Sequence, residues 1–372
     1  MSFLHRTWAE IDMNALSHNF SEIKKMCENT CVMAIVKADA YGHSAEFVAP
    51  ALEKAGADYF AVSNIDEAVS LRKYGVSKDI LILGYTPFSL TKELSDNNIT
   101  QTVYSFDYAK SLSENAIKYG VTLKVHIKLD TGMSRIGFDA KRNDCYGEIL
   151  DILKLGGLEF EGIFTHFAVA DEETDNSKAF TALQYERFCA AVEHLNTLGY
   201  KFKYTHCCNS AGIAYQKDKH LNLARAGILL YGLKPNASID VPLDIIPVMT
   251  VKSVVSLVKN IKKGDSVGYG LTFTAESDMR IATVSAGYAD GYPRKLSNKG
   301  YVLINGQKAN IIGRISMDQM TVDVTEIDNV KMGDEVILFG KDLSVDVLAT
   351  LTDTINYELI CGISPRVKRV IL

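Results

Sequence analysis

A lysine at the end of an apolar run offers the most definite chemistry in this sequence. Residues 32–36 are apolar and rich in β-branched side chains, which predicts a short buried parallel strand, and Lys37 follows directly. Catalytic groups gather at the carboxyl ends of barrel strands. A desolvated lysine is also the natural nucleophile for forming a Schiff base with an aldehyde. For a single lysine, however, an ordinary surface position after a strand is the commoner explanation.

The residues around Lys37 resemble the cofactor-lysine motif of the alanine racemases, enzymes that use pyridoxal 5′-phosphate (PLP). In that family the motif runs Val-Lys-Ala-(Asn or Asp)-Ala-Tyr-Gly-His, and residues 36–43 have this series with Asp at the variable position. The resemblance implies that Lys37 binds PLP. Further matching segments extend to Tyr357, so the resemblance covers nearly the whole chain.

The pattern of elements predicts a scaffold that would place this lysine at a barrel end. Eight strand–helix units with a spacing of roughly 25–30 residues favour a (β/α)8 TIM-type barrel. A doubly wound sheet is the alternative, but it would normally carry a glycine-rich dinucleotide loop. Short, turn-rich strands then predict a C-terminal all-β domain. We expect domains at 1–237 and 238–372, and the family layout implies that the first strand packs with the β domain.

Two predicted strand ends offer groups that could bind a phosphate. Loops after the seventh and eighth strands of barrels commonly bind phosphate through backbone N–H groups at a helix start. Ser210 follows the seventh predicted strand, although it is explained equally well as a helix N-cap. The resemblance to the racemases assigns the cofactor phosphate to five residues: Tyr41, Ser210, Gly227, Ile228 and Tyr357.

Arg225 lies between apolar residues, where a charge without a partner would be costly to bury. The resemblance places this arginine against the pyridine nitrogen of PLP. Because a guanidinium hardly releases its proton, that nitrogen would stay unprotonated and the ring would be a weaker electron sink. We expect this to limit transamination side reactions. A structural salt bridge with a nearby carboxylate is the alternative.

Racemisation needs one acid–base group on each face of the α-carbon. The resemblance assigns these roles to Lys37 and to Tyr269, which lies between two glycines in the predicted β domain. A tyrosine that acts as a base at neutral pH needs a cationic neighbour, and His166 matches the family's partner for this tyrosine. In the family the tyrosine comes from the other subunit, so a head-to-tail homodimer with shared active sites is implied.

The resemblance also implies residues for the substrate. Those expected to bind it are Arg135, Met317 and Asp318, and those expected to line its entrance are Asp171, Tyr288 and Arg294. Lys128 matches a lysine that is often carbamylated in the family. Carbamylation would convert this cation into an anion that pairs with Arg135, whereas an unmodified lysine would repel it.

Composition excludes several classes of function. The chain has 372 residues, a net charge of -5 and a pI near 5.9, so no basic footprint for nucleic acid is present. No apolar run approaches the ~20 residues that cross a bilayer, and the first residues lack a signal-peptide core. We therefore expect a cytoplasmic protein without membrane contact. Seven cysteines without a CxxC pair predict neither a disulfide framework nor a metal site.

The leading hypothesis is a PLP-dependent isomerase that interconverts L- and D-alanine by a two-base mechanism, supplying D-alanine for peptidoglycan. A serine or broad-specificity racemase of the same fold is the closest alternative. A PLP-binding homeostasis protein would lack the β domain. A decarboxylase of similar layout would have a carboxylate at the pyridine nitrogen, and Arg225 stands against that.

Overall fold

The computed structural model describes residues 6–141 and 146–372, and Cys145 lies outside them. Contacts divide the chain into two compact units. The barrel unit consists of Ser17–Ala40 and Ala45–Ile245. The β unit consists of the amino-terminal residues up to Leu16, Tyr41–Ser44 and Ile246–Leu372. The domain limits of 1–237 and 238–372 stay a prediction.

The strands are numbered in chain order. They are β1 Thr7–Ile11, β2 Cys31–Ile35, β3 Tyr59–Val62, β4 Ile80–Ile82, β5 Ile99–Val103, β6 Leu123–Asp130, β7 Phe138–Asp139, β8 Leu158–Phe164, β9 Tyr204–His206, β10 Leu223–Ala226, β11 Met249–Ile261, β12 Ser266–Val267, β13 Phe273–Thr274, β14 Met279–Val284, β15 Tyr301–Ile304, β16 Gln307–Ile312, β17 Met320–Asp323, β18 Glu335–Phe339 and β19 Lys368–Ile371.

The helices are numbered in the same way. They are α1 Met13–Cys27, α2 Lys37–Tyr41, α3 Ala45–Lys54, α4 Ile65–Lys73, α5 Thr91–Asp96, α6 Phe106–Tyr119, α7 Tyr146–Ile152, α8 Asp175–Thr197, α9 Ser210–Tyr215, α10 Val345–Thr352 and α11 Asn356–Cys361.

The barrel unit contains eight parallel strands in the order β10-β2-β3-β4-β5-β6-β8-β9, with β7 paired to β6. The backbone N–H of Arg225 on β10 donates to the carbonyl of Cys208, just beyond β9, at 3.0 Å. This bond joins the first and last strands of the order, so the sheet closes. Strands such as β3 and β5 are buried along their whole length, as expected for parallel strands covered by helices. The predicted (β/α)8 barrel is confirmed.

The sequence pattern predicts the eighth barrel strand over residues 221–224, which is two residues too early. In the structure β10 covers Leu223–Ala226, so Arg225 lies within the strand. Leu221 has φ of 57°, in the left-handed region, which is incompatible with an extended strand. Because the backbone is left-handed at Leu221, the strand begins only at Leu223.

The β unit contains an eight-stranded sheet in the order β14-β17-β16-β15-β18-β11-β1-β19, and β14 also pairs with β11. β1 pairs antiparallel with β11 and parallel with β19, so the amino-terminal strand belongs to this sheet. The predicted hairpin between β15 and β16 is present, with φ of 51° at Asn305 and 73° at Gly306. The predicted all-β fold of this region is confirmed, although β12, β13, β19 and α11 were not predicted.

Two features are absent from the described part of the chain, a membrane-spanning helix and a cluster of metal ligands. No helix in it has both the length and the apolar character needed to span a bilayer. No group of three or more His, Cys, Asp or Glu side chains within residues 6–141 and 146–372 is arranged to hold a metal ion.

One buried carboxylate organises the charges of the β unit. Asp290 is only 2% exposed and accepts hydrogen bonds from Arg6 at 2.8 Å and from Arg366 at 2.7 Å. Its second oxygen also accepts from the backbone N–H of Gly287 at 2.9 Å. Burial opposes ionisation, but the two guanidinium groups outweigh it and hold the pKa of Asp290 below its ordinary value.

Asp290→Asn is expected to lower the free energy of unfolding by roughly 1–3 kcal/mol, the cost of leaving polar partners unsatisfied. Because the pKa is lower in the folded than in the unfolded state, this stabilisation is present above the unfolded pKa and is lost as pH falls through the folded value. Urea unfolding at neutral and acidic pH measures both effects. Asp318→Asn, at a half-exposed partner of Arg366, is the control. Equal losses for the two variants would contradict the central role of Asp290.

Candidate active site

Lys37 lies half-buried just beyond β2, at the carboxyl end of the barrel strands. The segment after it, which the sequence predicts to be a strand-to-helix loop, connects β2 to α3. Residues Ala38, Asp39, Ala40 and Tyr41 have φ between 51° and 54°, so α2 is a left-handed turn. Each such L-residue costs roughly 1–2 kcal/mol relative to a right-handed one.

Side chains of the barrel unit hold this strained turn in place. The backbone N–H of Ala38 donates to Glu67 Oε1 at 2.8 Å, and the other carboxylate oxygen of Glu67 accepts from Ser63 N at 2.7 Å. Asp39 Oδ1 accepts from the backbone N–H of Ala45 at 2.7 Å, which ties the turn to the start of α3. Backbone strain maintained in this way clusters at functional sites, and here it directly follows the proposed nucleophile.

Arg225 is 2% exposed and is held by imidazoles and carbonyls. Its guanidinium contacts His206 Nδ1 at 2.9 Å and His166 Nδ1 at 3.2 Å. It also donates to the carbonyls of Thr165 at 2.9 Å and Cys207 at 3.0 Å. No carboxylate of the described residues hydrogen-bonds to Arg225. This part of the chain therefore does not support the alternative in which Arg225 forms a structural salt bridge.

His166 follows β8 and lies close to several cations. Burial and then the charges of Arg225, Lys128, Arg135 and Lys37 hold the pKa of this imidazole well below its ordinary value. A guanidinium can only donate, so Nδ1 of His166 accepts from Arg225, while Nε2 lies 3.4 Å from the amide nitrogen of Asn209. The positive charge next to this imidazole resides on Arg225.

Lys128 on β6 is 4% exposed, and its ammonium nitrogen donates to the carbonyl of Leu129 at 2.7 Å. It also lies over the ring of Phe164, 5.3 Å from the centroid. Burial, followed by the charge of Arg225, lowers the pKa of Lys128 to about 7, against an opposing contribution from Asp130. Much of this amine is therefore neutral near physiological pH. Arg135, after β6, is exposed.

The predicted phosphate residues of the barrel unit lie together. Ser210 is buried at the start of α9, and its hydroxyl accepts from the backbone N–H of Gly227 at 2.8 Å. Gly227 precedes the 3-10 helix Ile228–Tyr231. The N-cap of α9 is Asn209, whose side chain accepts from Gly212 N at 2.9 Å, so Ser210 is not the cap. Two helix starts thus meet at the loops after β9 and β10.

The other two predicted phosphate residues lie in the β unit. The rings of Tyr41 and Tyr357 approach with centroids 6.1 Å apart and planes tilted by 49°. Burial raises the pKa of the Tyr41 phenol well above its ordinary value, so this hydroxyl stays protonated and can donate. The assembly of Tyr41 and Tyr357 with Ser210, Gly227 and Ile228 into one phosphate site stays a prediction.

Tyr269 projects from the β unit and is 71% exposed. It begins a short 3-10 turn between Gly268 and Gly270, which have φ of 73° and 72°. A Cβ at Gly270 would meet the guanidinium of Arg314 at 2.7 Å, and one at Gly268 would meet its backbone nitrogen at 3.3 Å. Both glycines are therefore needed for the Tyr269 turn to pack against the segment at Arg314.

The predicted substrate and entrance residues of the β unit lie on either side of that segment. Met317 and Asp318 are exposed, and Arg366 donates to Asp318 Oδ1 at 2.7 Å. The backbone N–H of Tyr288 donates to the carbonyl of Ser316 at 3.1 Å. Arg294 is exposed at the start of a 3-10 turn. Asp171 lies in the barrel unit, where burial raises the pKa of its carboxyl. The shared entrance stays a prediction.

Sequence reasoning missed three buried polar residues behind Arg225. His206 was noted only as a strand end, and His126 and Glu161 were not singled out. A signal was present, since both belong to segments predicted as buried barrel strands, where charged or polar residues need partners. Their partners become evident only once β6, β8 and β9 are placed side by side.

Comparisons with known proteins identify the family of the whole chain. The chain matches the family models for the alanine racemase N-terminal domain over residues 11–235 and C-terminal domain over residues 248–371. It is 43% identical to the alanine racemase of Clostridium tetani, covering 99% of this chain and 95% of that protein. Alanine racemase 1 of Clostridium acetobutylicum is 44% identical, with coverages of 98% and 94%. The solved alanine racemase of Clostridium difficile 630 superposes with a TM-score of 0.94 at 40% identity, covering 100% of this chain and 97% of that one. The chain therefore belongs to the alanine racemase family.

Proposed function

We propose that this chain interconverts L- and D-alanine with PLP, using Lys37 and Tyr269 as the two bases. The alanine racemase names of its full-length relatives support the substrate. The observation that carries the mechanism is the grouping of Lys37, His166 and Arg225 at one end of the barrel, where the charges of Arg225 and Lys37 act on His166. The carboxyl ends of barrel strands are where such catalytic groups gather.

The donor set of the barrel unit fits an anionic cofactor and substrate. The cations that act on His166 are Lys37, Lys128, Arg135 and Arg225. A phosphate and an amino-acid carboxylate would compensate this charge. Lys37 would hold PLP through its amine, and the residues proposed for the phosphate are Tyr41, Ser210, Gly227, Ile228 and Tyr357. When bound, PLP supplies an electron sink that makes the α-proton of the amino acid acidic.

Arg225 would face the pyridine nitrogen. Burial lowers the pKa of its guanidinium to about 10, so the group remains a cation and a donor at neutral pH. A donor in this place would keep the ring nitrogen unprotonated, as expected from the sequence. A decarboxylase of similar layout would need a carboxylate here, and the contacts of Arg225 within the described residues are imidazoles and carbonyls.

The two bases would work on opposite faces of the α-carbon. The amine of Lys37 removes the proton from the D-isomer, and the phenol oxygen of Tyr269 removes it from the L-isomer. His166 would carry its ring proton on Nε2, because Nδ1 accepts from Arg225. That N–H is suited to donate to the oxygen of Tyr269 and to stabilise the deprotonated form.

We also propose a head-to-tail homodimer in which Tyr269 serves the partner's site. The large apolar or aromatic side chains that are exposed in the described part of the β unit include Tyr269, Leu271, Tyr288, Met317 and Ile355. Tyr269, Tyr288 and Met317 lie on segments that contact, or directly follow, the stretch that contains Arg314 and Ser316. Exposed apolar surface of this kind marks a protein interface.

The direct test of the proposed activity is a racemisation assay with L-alanine and L-serine on the PLP-loaded protein. A serine racemase would need a side chain near Tyr357 that binds the substrate hydroxyl. The neighbouring Asn356 is 4% exposed, and its amide nitrogen donates to Asp346 Oδ1 at 2.8 Å. We therefore expect alanine to be preferred. Faster turnover of serine, or release of carbon dioxide, would overturn the proposal.

We propose in addition that Lys128 is carbamylated. Carbamylation requires a neutral amine, and the pKa of about 7 supplies one. The modification would place an anion near Arg225 and Arg135, which disfavour an ammonium at this position.

Protein incubated with isotope-labelled bicarbonate should show one carbamate carbonyl signal by carbon NMR. The signal should grow as pH rises above about 7 and disappear as pH falls below it, because protonation of the amine blocks the reaction. Lys128→Ala should abolish the signal, whereas Lys124→Ala on the same strand should keep it. A spectrum without any carbamate signal in the unmutated chain would refute the modification.

A further inference from the structure

A row of buried polar side chains leads away from Arg225 through the barrel unit. Arg225 contacts His206 Nδ1 at 2.9 Å, and His206 Nε2 lies 3.1 Å from His126 Nδ1. His126 Nε2 lies 3.9 Å from Glu161 Oε2, an electrostatic contact longer than a hydrogen bond, and the other oxygen of Glu161 accepts from Lys203 at 3.0 Å. Both imidazoles are fully buried, and Glu161 is 6% exposed. We call these residues the histidine relay.

The chemistry of the two ends determines where each proton lies. The guanidinium of Arg225 can only donate, so His206 accepts at Nδ1 and carries its proton on Nε2. That proton points to His126 Nδ1, which accepts, so the proton of His126 also lies on Nε2. It faces the carboxylate of Glu161, which can only accept when ionised. Burial lowers the pKa of both imidazoles, in agreement with two neutral rings.

A bulge in β8 and a glycine next to it make room for the histidine relay. The pairing of β6 with β8 shifts register between Val125 and His126, so Glu161 is an extra residue on β8. Such a bulge re-aims a side chain, and here it brings Glu161 to His126. The next residue is Gly162, where a Cβ would meet atoms of the His126 ring at 2.5–2.6 Å. The ring of His206 is held by stacking on Phe164, with planes 2° apart.

We infer that His126 and Glu161 are positioning residues that fix the tautomer of His206, so that its lone pair holds the guanidinium of Arg225. The carboxylate lies two imidazoles away from Arg225, and its negative charge favours the arrangement in which His126 presents Nε2–H to it. The effect on catalysis rests on the proposed function, in which Arg225 faces the pyridine nitrogen. The tautomers themselves do not depend on it.

The test is nitrogen NMR of the holoenzyme with isotope-labelled histidine, with His126 and His206 assigned by single substitutions. Both rings should be neutral with the proton on Nε2, and this state should not change from mildly acidic to mildly alkaline pH. Either ring protonated on Nδ1, or a charged ring, would overturn the inference. This measurement needs no active enzyme, so its failure is distinguishable from failure of the proposed racemase activity.

Variants of Glu161 separate positioning from packing. In Glu161→Leu only the Arg225 end still orders the two rings, and the Nε2 proton of His126 loses the carboxylate that it faces. We therefore expect part of the population to carry the proton on Nδ1 at His126 and His206. We also expect kcat for alanine to fall by about 10–100-fold, as when other groups that orient a functional imidazole are removed, with little change in KM. Glu161→Gln keeps an acceptor oxygen and should retain the Nε2 tautomers and most of the activity. Lys203→Met leaves the carboxylate in place and should also retain the tautomers. Unchanged tautomers in Glu161→Leu would overturn the inference.

Discussion

Replacing Lys37 with alanine is expected to abolish racemisation in both directions, with a fall of at least ~10³-fold, because one residue supplies both covalent attachment and proton transfer. Rates measured from L- and D-alanine should fall together, since neither direction can bypass the lost base. Borohydride reduction of the PLP-loaded protein, followed by peptide mapping, should place the adduct on Lys37 in the unmutated chain. The variant should give no adduct.

Lys124→Ala is the matched control for this prediction. Lys124 lies on β6, is partly exposed and pairs with Asp79 at 3.2 Å, outside the proposed machinery. Its loss should leave both rates and the adduct unchanged. An adduct that maps to any lysine other than Lys37, or a Lys37→Ala protein that still racemises, would contradict the assignment.

Tyr269→Phe is expected to lower racemisation by about 10²–10⁴-fold while leaving one half of the chemistry intact. Without the phenol oxygen, the proton of L-alanine has no acceptor on its face. Lys37 still serves the opposite face, so D-alanine should exchange its α-proton with solvent and be returned without inversion. Proton NMR in deuterium oxide follows both isomers separately.

The selectivity of this exchange is the informative result. Tyr301→Phe is the control, since Tyr301 lies on β15 and contacts Lys308 rather than any proposed site residue. It should racemise normally. Tyr269→Phe protein that exchanges L-alanine as fast as the unmutated chain would remove Tyr269 from the mechanism.

The fold was largely predictable because its strands carry clear apolar patterns. The barrel strands are short, continuously apolar runs, and the strands of the β unit alternate or end at turn residues such as Asn305 and Gly306. The boundary error at β10 came from Leu221, whose left-handed backbone has no signature in its own side chain. The strands β12 and β13 have two residues each, which is too few for an alternating apolar pattern to be recognised.

The candidate site was predictable where family motifs and barrel geometry coincide. Lys37, His166, Ser210 and Arg225 all lie at or near the carboxyl ends of strands, and those ends meet on one side of a closed parallel sheet. The left-handed turn after Lys37 was not predictable, because Ala-Asp-Ala-Tyr has no glycine to suggest positive φ. The turn depends on the hydrogen bond from Ala38 N to Glu67 and on the one from Ala45 N to Asp39. Neither pairing can be recognised from the sequence of the turn itself.

Protonation states were the least accessible from sequence. The resemblance predicts His166 as the partner of a tyrosine that needs a cationic neighbour, and only the placement of four cations around His166 reveals that the pKa of this imidazole is lowered. The histidine relay likewise depends on a bulge at Glu161 and on the space that Gly162 leaves for a ring. Neither feature follows from residue type or spacing within one strand.

The central claim is that each active site takes its lysine from one chain and its tyrosine from another. Co-expression of Lys37→Ala and Tyr269→Phe chains with different tags allows the mixed dimer to be purified. In that dimer one site has both groups intact and the other has neither, so about half of the unmutated activity should return. A mixed dimer as inactive as its parents would contradict a shared site.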